Sequence, residues 1–419
     1  MFDSFYRADL LHGVHWFFIG LLVQGFALRR LNPQQTLGDE VEYLTTSRKF
    51  PTAQLWVRVP LNFVLPWLAA RLSNSHKTMI ARSLVSVVSA ATVGLAVGFS
   101  HSQAGVFAGL TAGLLMTLSL ERIVLAIHIW PDTLLGFWSL IFMIAMSNTD
   151  APPAWTTLGV IAALGFLTRV DFAALVCFGV VLAAFTAANP LIACISVAGP
   201  TLGAALILTL KNGLVHRVWS PDTTASFNFE VSVIETEKPS AATNELMTEA
   251  VSRTQSRPIA SSPRRDFLKS IVNAPYQSFT ALSHRIVVLL GQETFVSQNL
   301  IKRNRASYAT DSTPIFGGIL KTNVTYWVLI VFVIFVAFSA RMPVAVVLLV
   351  ATLVVVQCAV QTRSRYRMSV FPVLCASVAI AVWQTETIAF SRIHDVVSLL
   401  VACGVFWVLM SVPPRRELR

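Results

Sequence analysis

SLVSVVSAATVGLAVGFSHSQAGVFAGLTAGLLMTLSL, residues Ser83–Leu120, contains no Asp, Glu, Lys or Arg. Roughly 20 residues of helix cross the hydrocarbon core of a bilayer, so this stretch has room for two crossings. Phe172–Leu210, Thr322–Ala340 and Met342–Thr362 are free of the same four residues. Over all 419 residues, 55% are hydrophobic and 13% charged, with a mean hydropathy of +0.65. Soluble domains carry about 25% charged residues, and a water-exposed surface of this size could not be covered with half of that. A soluble enzyme, a disordered chain and a disulfide scaffold are excluded. Cys177, Cys194, Cys358, Cys375 and Cys403 all lie in apolar segments without CxxC spacing. They read as packing residues rather than as a zinc site or a loop disulfide. The first apolar run is long and has no small-residue cleavage site after it, so no cleavable signal peptide is expected.

The expected fold is an all-α polytopic membrane protein with about eleven transmembrane helices. They run near 10–28, 81–99, 104–120, 132–147, 156–168, 172–187, 191–210, 324–340, 343–361, 369–386 and 396–412. Gly, Pro and Asn punctuate the gaps, as at Pro152-Pro153 and Asn189-Pro190. This divides the chain into an N-terminal transmembrane module (1–210), a long loop (211–323) and a C-terminal transmembrane module (324–419). Within the first module, the loop 29–80 holds Asp39, Glu40, Glu42 and seven Lys/Arg. Its apolar second half, Trp56–Leu72, is interrupted by Pro60 and Pro66, which predicts helices lying in the interface. The long loop reads as polar to about residue 263, then helix-like over Asp266–Leu290 and Thr294–Arg303.

The net charge of +11 collects between the apolar runs. A membrane surface or a phosphorylated lipid is therefore the expected partner, and nucleic acid is not. With an odd number of spans, both long loops and the connectors Glu121–Pro131 and Thr362–Arg367 share one side. The positive-inside rule would make that side cytoplasmic, although it weakens for long loops.

Four strings carry chemistry. In Gly38-Asp39-Glu40-Val41-Glu42-Tyr43, adjacent carboxylates stand just outside a membrane, where they are costly unless hydrated or used. One of them is placed to act as general base towards a hydroxyl. In His128-Ile129-Trp130-Pro131-Asp132, Pro131 suits a first helical turn and Asp132 its positive end. His128 with Asp132 leaves a divalent metal open, on a ligand set too small to define a site, and no other cofactor is indicated. Leu167-Thr168-Arg169-Val170-Asp171 places an Arg–Asp pair between two apolar helices. Arg363-Ser364-Arg365-Tyr366-Arg367 ends just before a span, where the planar guanidinium fork fits a phosphate as well as an interfacial anchor. No GxxxxGK[ST], HExxH or GxSxG string occurs, so nucleotide hydrolysis, zinc proteolysis and serine hydrolysis have no support.

DExxY soon after the first helix, followed by TTSRKF and PLNFVLPWLAARL, resembles the first external loop of the GT-C glycosyltransferases. Within these it is similar to the protein O-mannosyltransferases and the lipid A aminoarabinose transferases. The LTR at 167–169 and the RYR at 365–367 resemble turns of the same enzymes. The resemblance implies a membrane glycosyltransferase that takes sugar from a polyprenyl-phosphate donor and passes it to a hydroxyl of a lipid, glycan or protein. It implies Asp39 as catalytic base with Glu40 beside it and Asp132 nearby. Arg169, Arg365, Tyr366, Arg367, His128 and Arg58 become the candidate substrate-binding residues. It also sets the loop side in the periplasm or lumen, against the positive-inside count, and favours a bacterial inner membrane over the ER. The alternative is a transporter or flippase of a phosphorylated lipid. A transporter usually places ionisable groups at the midplane, whereas here the apolar runs are nearly free of them.

Overall fold

The computed structural model describes residues 7–31, 36, 39–48, 59–147, 152–216, 219–221, 225–238, 243–256, 263–290, 344–359 and 364–383. Among the described residues every regular element is a helix, in keeping with the all-α expectation. The first module comprises α1 (Arg7–Leu31), α2 (Asp39–Ser47), α3 (Leu61–Leu72), α4 (Lys77–Thr117), α5 (Leu120–Leu125), α6 (Pro131–Met146), α7 (Pro152–Thr168), α8 (Ala173–Thr186) and α9 (Pro190–His216). The later helices are α10 (Ala225–Glu237), α11 (Thr243–Ser256), α12 (Pro263–Asn273), α13 (Pro275–Leu290), α14 (Val344–Ala359) and α15 (Phe371–Trp383). Short 3-10 turns occupy Val170–Phe172 and Ser364–Ser369.

Helix α4 shows how the charge-free stretch is used. A straight helix of its 41 residues would extend about 60 Å at 1.5 Å per residue, twice the ~30 Å core of a bilayer. It breaks at Ala104 and Gly105, where φ of Gly105 is +80°. A side chain rarely adopts that conformation, and a Cβ there would meet no atom within 4 Å. Conformation, not space, therefore demands the glycine. The two halves coincide with the separate spans expected at 81–99 and 104–120.

Helix α1 packs along α4 at very close range. A Cβ built on Gly94 would lie 2.7 Å from the Gly13 carbonyl oxygen, and one on Gly13 would lie 2.9 Å from that of Gly94. Small residues are what let membrane helices approach this closely. Polar groups reinforce the seam: Gln24 Nε2 donates to Ser89 Oγ at 3.3 Å, and buried Arg122 donates to Ser89 and, at 2.7 Å, to the Met116 carbonyl. Gly94→Val should force the helices apart. Overpacking costs about 1–3 kcal/mol, so a lower melting temperature in detergent is expected; an unchanged one would mean the seam yields freely.

Among the described residues three helices are long and apolar enough to cross a membrane: Asp9–Leu31, Lys77–Thr117 and Pro190–Val215. They mark the chain as an integral membrane protein. Other expected spans fall on the shorter apolar helices α6, α7, α8, α14 and α15. Those at 324–340 and 396–412 lie outside the described residues. The core runs through α4, α6, α7, α8 and α15 and includes Phe142, Leu140, Met116 and Phe371.

Two loop features differ from expectation. Helix α3 runs unbroken through Pro66, whose ring is buried; the lost N–H costs one helical bond, and the packed ring keeps the helix against the core. The polar stretch before residue 263 contains a helical pair, α10 and α11. Val231 and Ile234 on one close against Leu246 and Ala250 on the other. Arg253 bridges Glu237 and Glu249, both at 2.7 Å, and Lys238 meets Glu249 at 2.7 Å.

Candidate functional site

The first loop builds one half of the site. Helix α2 starts at Asp39, where acidic side chains suit the positive end of a helix. Its buried Tyr43 meets Phe63 of α3 edge-on, with ring centroids 5.7 Å apart. The Glu40 carboxylate is fully buried. Arg82, in the first turns of α4, grips it with Nε to Oε1 at 3.1 Å and Nη2 to Oε2 at 2.9 Å. The backbone N–H of Ile129 donates to Oε1 at 2.9 Å, and His128 Nδ1 stands 3.3 Å from Oε2. Burial alone would raise the carboxyl's pKa. The closeness of His128 and the hydrogen bonds from Arg82 together outweigh burial and hold it at about 2. Glu40 thus ties α2, α4 and the segment after α5 into one unit.

The second half lies on the far side of the same segment. After α5 the chain passes through extended Trp130 (φ −121°, ψ 150°), with Pro131 at the start of α6 and buried Asp132 in its first turn. The His128 and Trp130 rings stack 4.5 Å apart, stiffening this strap. Asp132 Oδ1 is 3.5 Å from Arg169 Nη1. Arg169 is the extended residue that separates α7 from the 3-10 turn (φ −152°, ψ 133°). It makes a two-point pair with Asp171, Nη2 to Oδ2 at 2.8 Å and Nε to Oδ1 at 3.2 Å. Its guanidinium also lies 4.4 Å over the ring of Tyr366. Gln357 of α14 donates to Asp171 Oδ2 at 3.2 Å. Helix α3 covers this corner, with Asn62 Nδ2 donating to the Thr168 carbonyl at 2.8 Å.

The structure therefore gathers Glu40, His128, Asp132, Arg169 and Tyr366 along one strap, residues 128–132. Residues 365 and 367 lie in the adjoining 3-10 turn, and their side chains are outside the described residues, as is that of Asp39. Arg58 falls outside them entirely. Among the described residues no group of three or more His, Cys, Asp and Glu is placed to hold a metal ion; the Glu40 carboxylate faces a guanidinium instead.

Gln357, and Arg82 in the Ala81-Arg82-Ser83 entry to the second span, are parts of the arrangement that the sequence did not assign to the site. Both had the same signal: a lone polar side chain bordering or inside a charge-free run, which must find a partner within the bilayer. Arg285 is a third. It donates to Glu235 at 2.6 Å and to the Cys358 carbonyl at 3.3 Å, fastening α10 and α13 to the end of α14 beside Gln357.

Fold and site define a polytopic helical membrane protein with a carboxylate–arginine cluster at the ends of its spans. No family model and no curated protein matches the chain. Among solved structures it is similar to the lipid A aminoarabinose transferase ArnT from Cupriavidus metallidurans bound to undecaprenyl phosphate. That similarity has 14% identity and a TM-score of 0.44, and covers 94% of this chain and 63% of that one. The apo state of the same enzyme aligns at 15% identity with a TM-score of 0.37, over 88% of this chain and 77% of that one. The chain thus spans less than two thirds of the length of the undecaprenyl-phosphate-bound structure.

Proposed function

We propose that the protein is an integral-membrane glycosyltransferase of GT-C type that uses a polyprenyl-phosphate-linked sugar. The supporting observation is the strap 128–132. It joins the Glu40–Arg82–His128 hub on one side to the Asp132–Arg169–Tyr366 cluster on the other. An acid-bearing loop and the corner where Arg169 stands between Asp132, Asp171 and Tyr366 are thereby held by one element.

In the proposed reaction the Asp39 carboxylate takes the proton from an acceptor hydroxyl. The oxygen attacks the anomeric carbon from the face opposite the phosphate. The bond from that carbon to the phosphate oxygen breaks, its electron pair leaves with the lipid phosphate, and configuration inverts. Arg169, whose side chain is 22% accessible, stabilises the leaving charge together with Arg365 and Arg367 through preorganised donors. Glu40 positions the base by holding the start of α2. Delivery of the lipid-borne donor and the acceptor to one corner adds proximity. The site faces the periplasm or lumen in this reading.

The test is transfer by the purified protein from a panel of labelled polyprenyl-phosphate sugars to a lipid, glycan or protein acceptor. The expected result is a labelled product of inverted configuration with release of polyprenyl phosphate. Movement of an intact donor across proteoliposomes without cleavage would overturn the assignment in favour of transport.

A further inference from the structure

Helices α12 and α13 form an almost continuous rod. The Ala274 and Ser278 N–H groups carry the hydrogen-bond ladder across the junction, bonding to the Ser270 and Ala274 carbonyls at 2.9 and 3.0 Å. At 100° per residue, the rod has three faces. Phe267, Ala281 and Arg285 turn inward: Phe267 meets Phe229 of α10 at 5.4 Å between ring centroids, Ala281 is buried, and Arg285 makes the pair with Glu235. Lys269, Asn273, Gln277 and Thr280 turn outward and are exposed. Between these faces, Leu268, Val272, Tyr276 and Phe279 form a stripe spaced by three or four residues. They are 55%, 77%, 78% and 67% exposed.

Large apolar side chains this exposed on a segment outside the spans need an apolar surrounding. Two observations name it. The Arg285–Cys358 bond fixes α13 beside the end of α14, an apolar helix of the transmembrane module. Exposed Lys269 borders the stripe on its polar side, and exposed Arg265 stands at its N-terminal end. Long basic side chains at that position keep their charge in the headgroups while their stems lie on apolar surface. An apolar stripe bordered by basic residues and backed by a polar face is the pattern of a helix lying in the plane of a membrane surface.

We infer that the α12–α13 rod is an in-plane membrane anchor, with Leu268, Val272, Tyr276 and Phe279 seated at the boundary of headgroups and acyl chains. Its ligand is the bilayer, with anionic headgroups opposite Arg265 and Lys269. The rod thereby clamps the long loop to the membrane next to Gln357. The inference does not depend on the proposed chemistry.

The test uses the full chain in nanodiscs containing anionic lipid, with endogenous cysteines replaced by alanine and single spin labels at V272C, Y276C, N273C and Q277C. Collision with oxygen, which concentrates in lipid, is compared with collision with a water-soluble nickel chelate. At 272 and 276 oxygen should dominate, and at 273 and 277 the order should reverse. Nickel dominance at all four positions would place the rod in water. Low collision with both reagents at 272 and 276 would mean that protein covers the stripe. Either result overturns the anchor. A gel-filtration profile matching the parent confirms that each variant is folded, and L268C and F279C supply the same readout if one of the first pair is not.

Discussion

Glu40→Ala is expected to lower the stability of the protein by about 3–5 kcal/mol, the cost of removing one partner from a buried ion pair. The size follows from what remains behind. Arg82 would keep its charge in a buried setting without the carboxylate that meets it at 2.9 and 3.1 Å, and the Ile129 N–H would lose its acceptor. Acid should reproduce part of the effect in the unaltered chain. The Glu40 carboxyl is lowered from 4.5 to about 2, so its contribution is fully present above pH 4.5. It fades as pH falls through the folded value near 2. A shift of that size corresponds to about 3 kcal/mol of pH-dependent stability. Melting in detergent by size-exclusion fluorescence, from pH 7 down to pH 3, measures both effects. The parent should lose stability below pH 4.5, whereas Glu40→Ala should start low and change less. Parallel curves would show that another carboxyl carries the acid response.

That hub also shows where reading the chain stops. Charge-free runs revealed the apolar helices because their signal is local: absence of charge over the length of a bilayer. The break in α4 was legible too, since HSQAG at 101–105 interrupts the apolar texture. Pro131 and Asp132 announced a helix start by their own backbone and charge preferences. The partner of Glu40 was not legible. Arg82 lies 42 residues away, and no pattern in either string says which acid it will meet. Gln357 and Asp171 are separated by 186 residues, and their pairing depends on how α8 and α14 pack. The α10–α11 pair was missed for a different reason. Among the described residues a small cluster of Val231, Ile234, Leu246 and Ala250 closes it. A surface of acidic and basic residues, which alone would read as a loop, supplies the remaining contacts.

Asp39→Asn is expected to reduce transfer by about 10²–10⁴-fold, the usual contribution of a positioned general base. It should leave donor affinity and melting temperature close to those of the parent. An amide has nearly the shape of the carboxylate but cannot accept the acceptor's proton at neutral pH. Asn is also well tolerated at the start of a helix, so α2 keeps its beginning and Glu40 its bonds from Arg82 and Ile129. The contrast with Glu40 separates chemistry from architecture. Removing Glu40 should lower activity and melting together because the strap, α2 and α4 come apart as a unit. Removing the Asp39 charge should lower activity alone, in kcat rather than in KM for the donor. The measurement is steady-state transfer with the labelled donor that the parent turns over, beside a melting curve of each variant. Retained turnover in Asp39→Asn would move the base to another carboxylate. Asp132, 3.5 Å from Arg169 and on the same strap, would then be the next to replace.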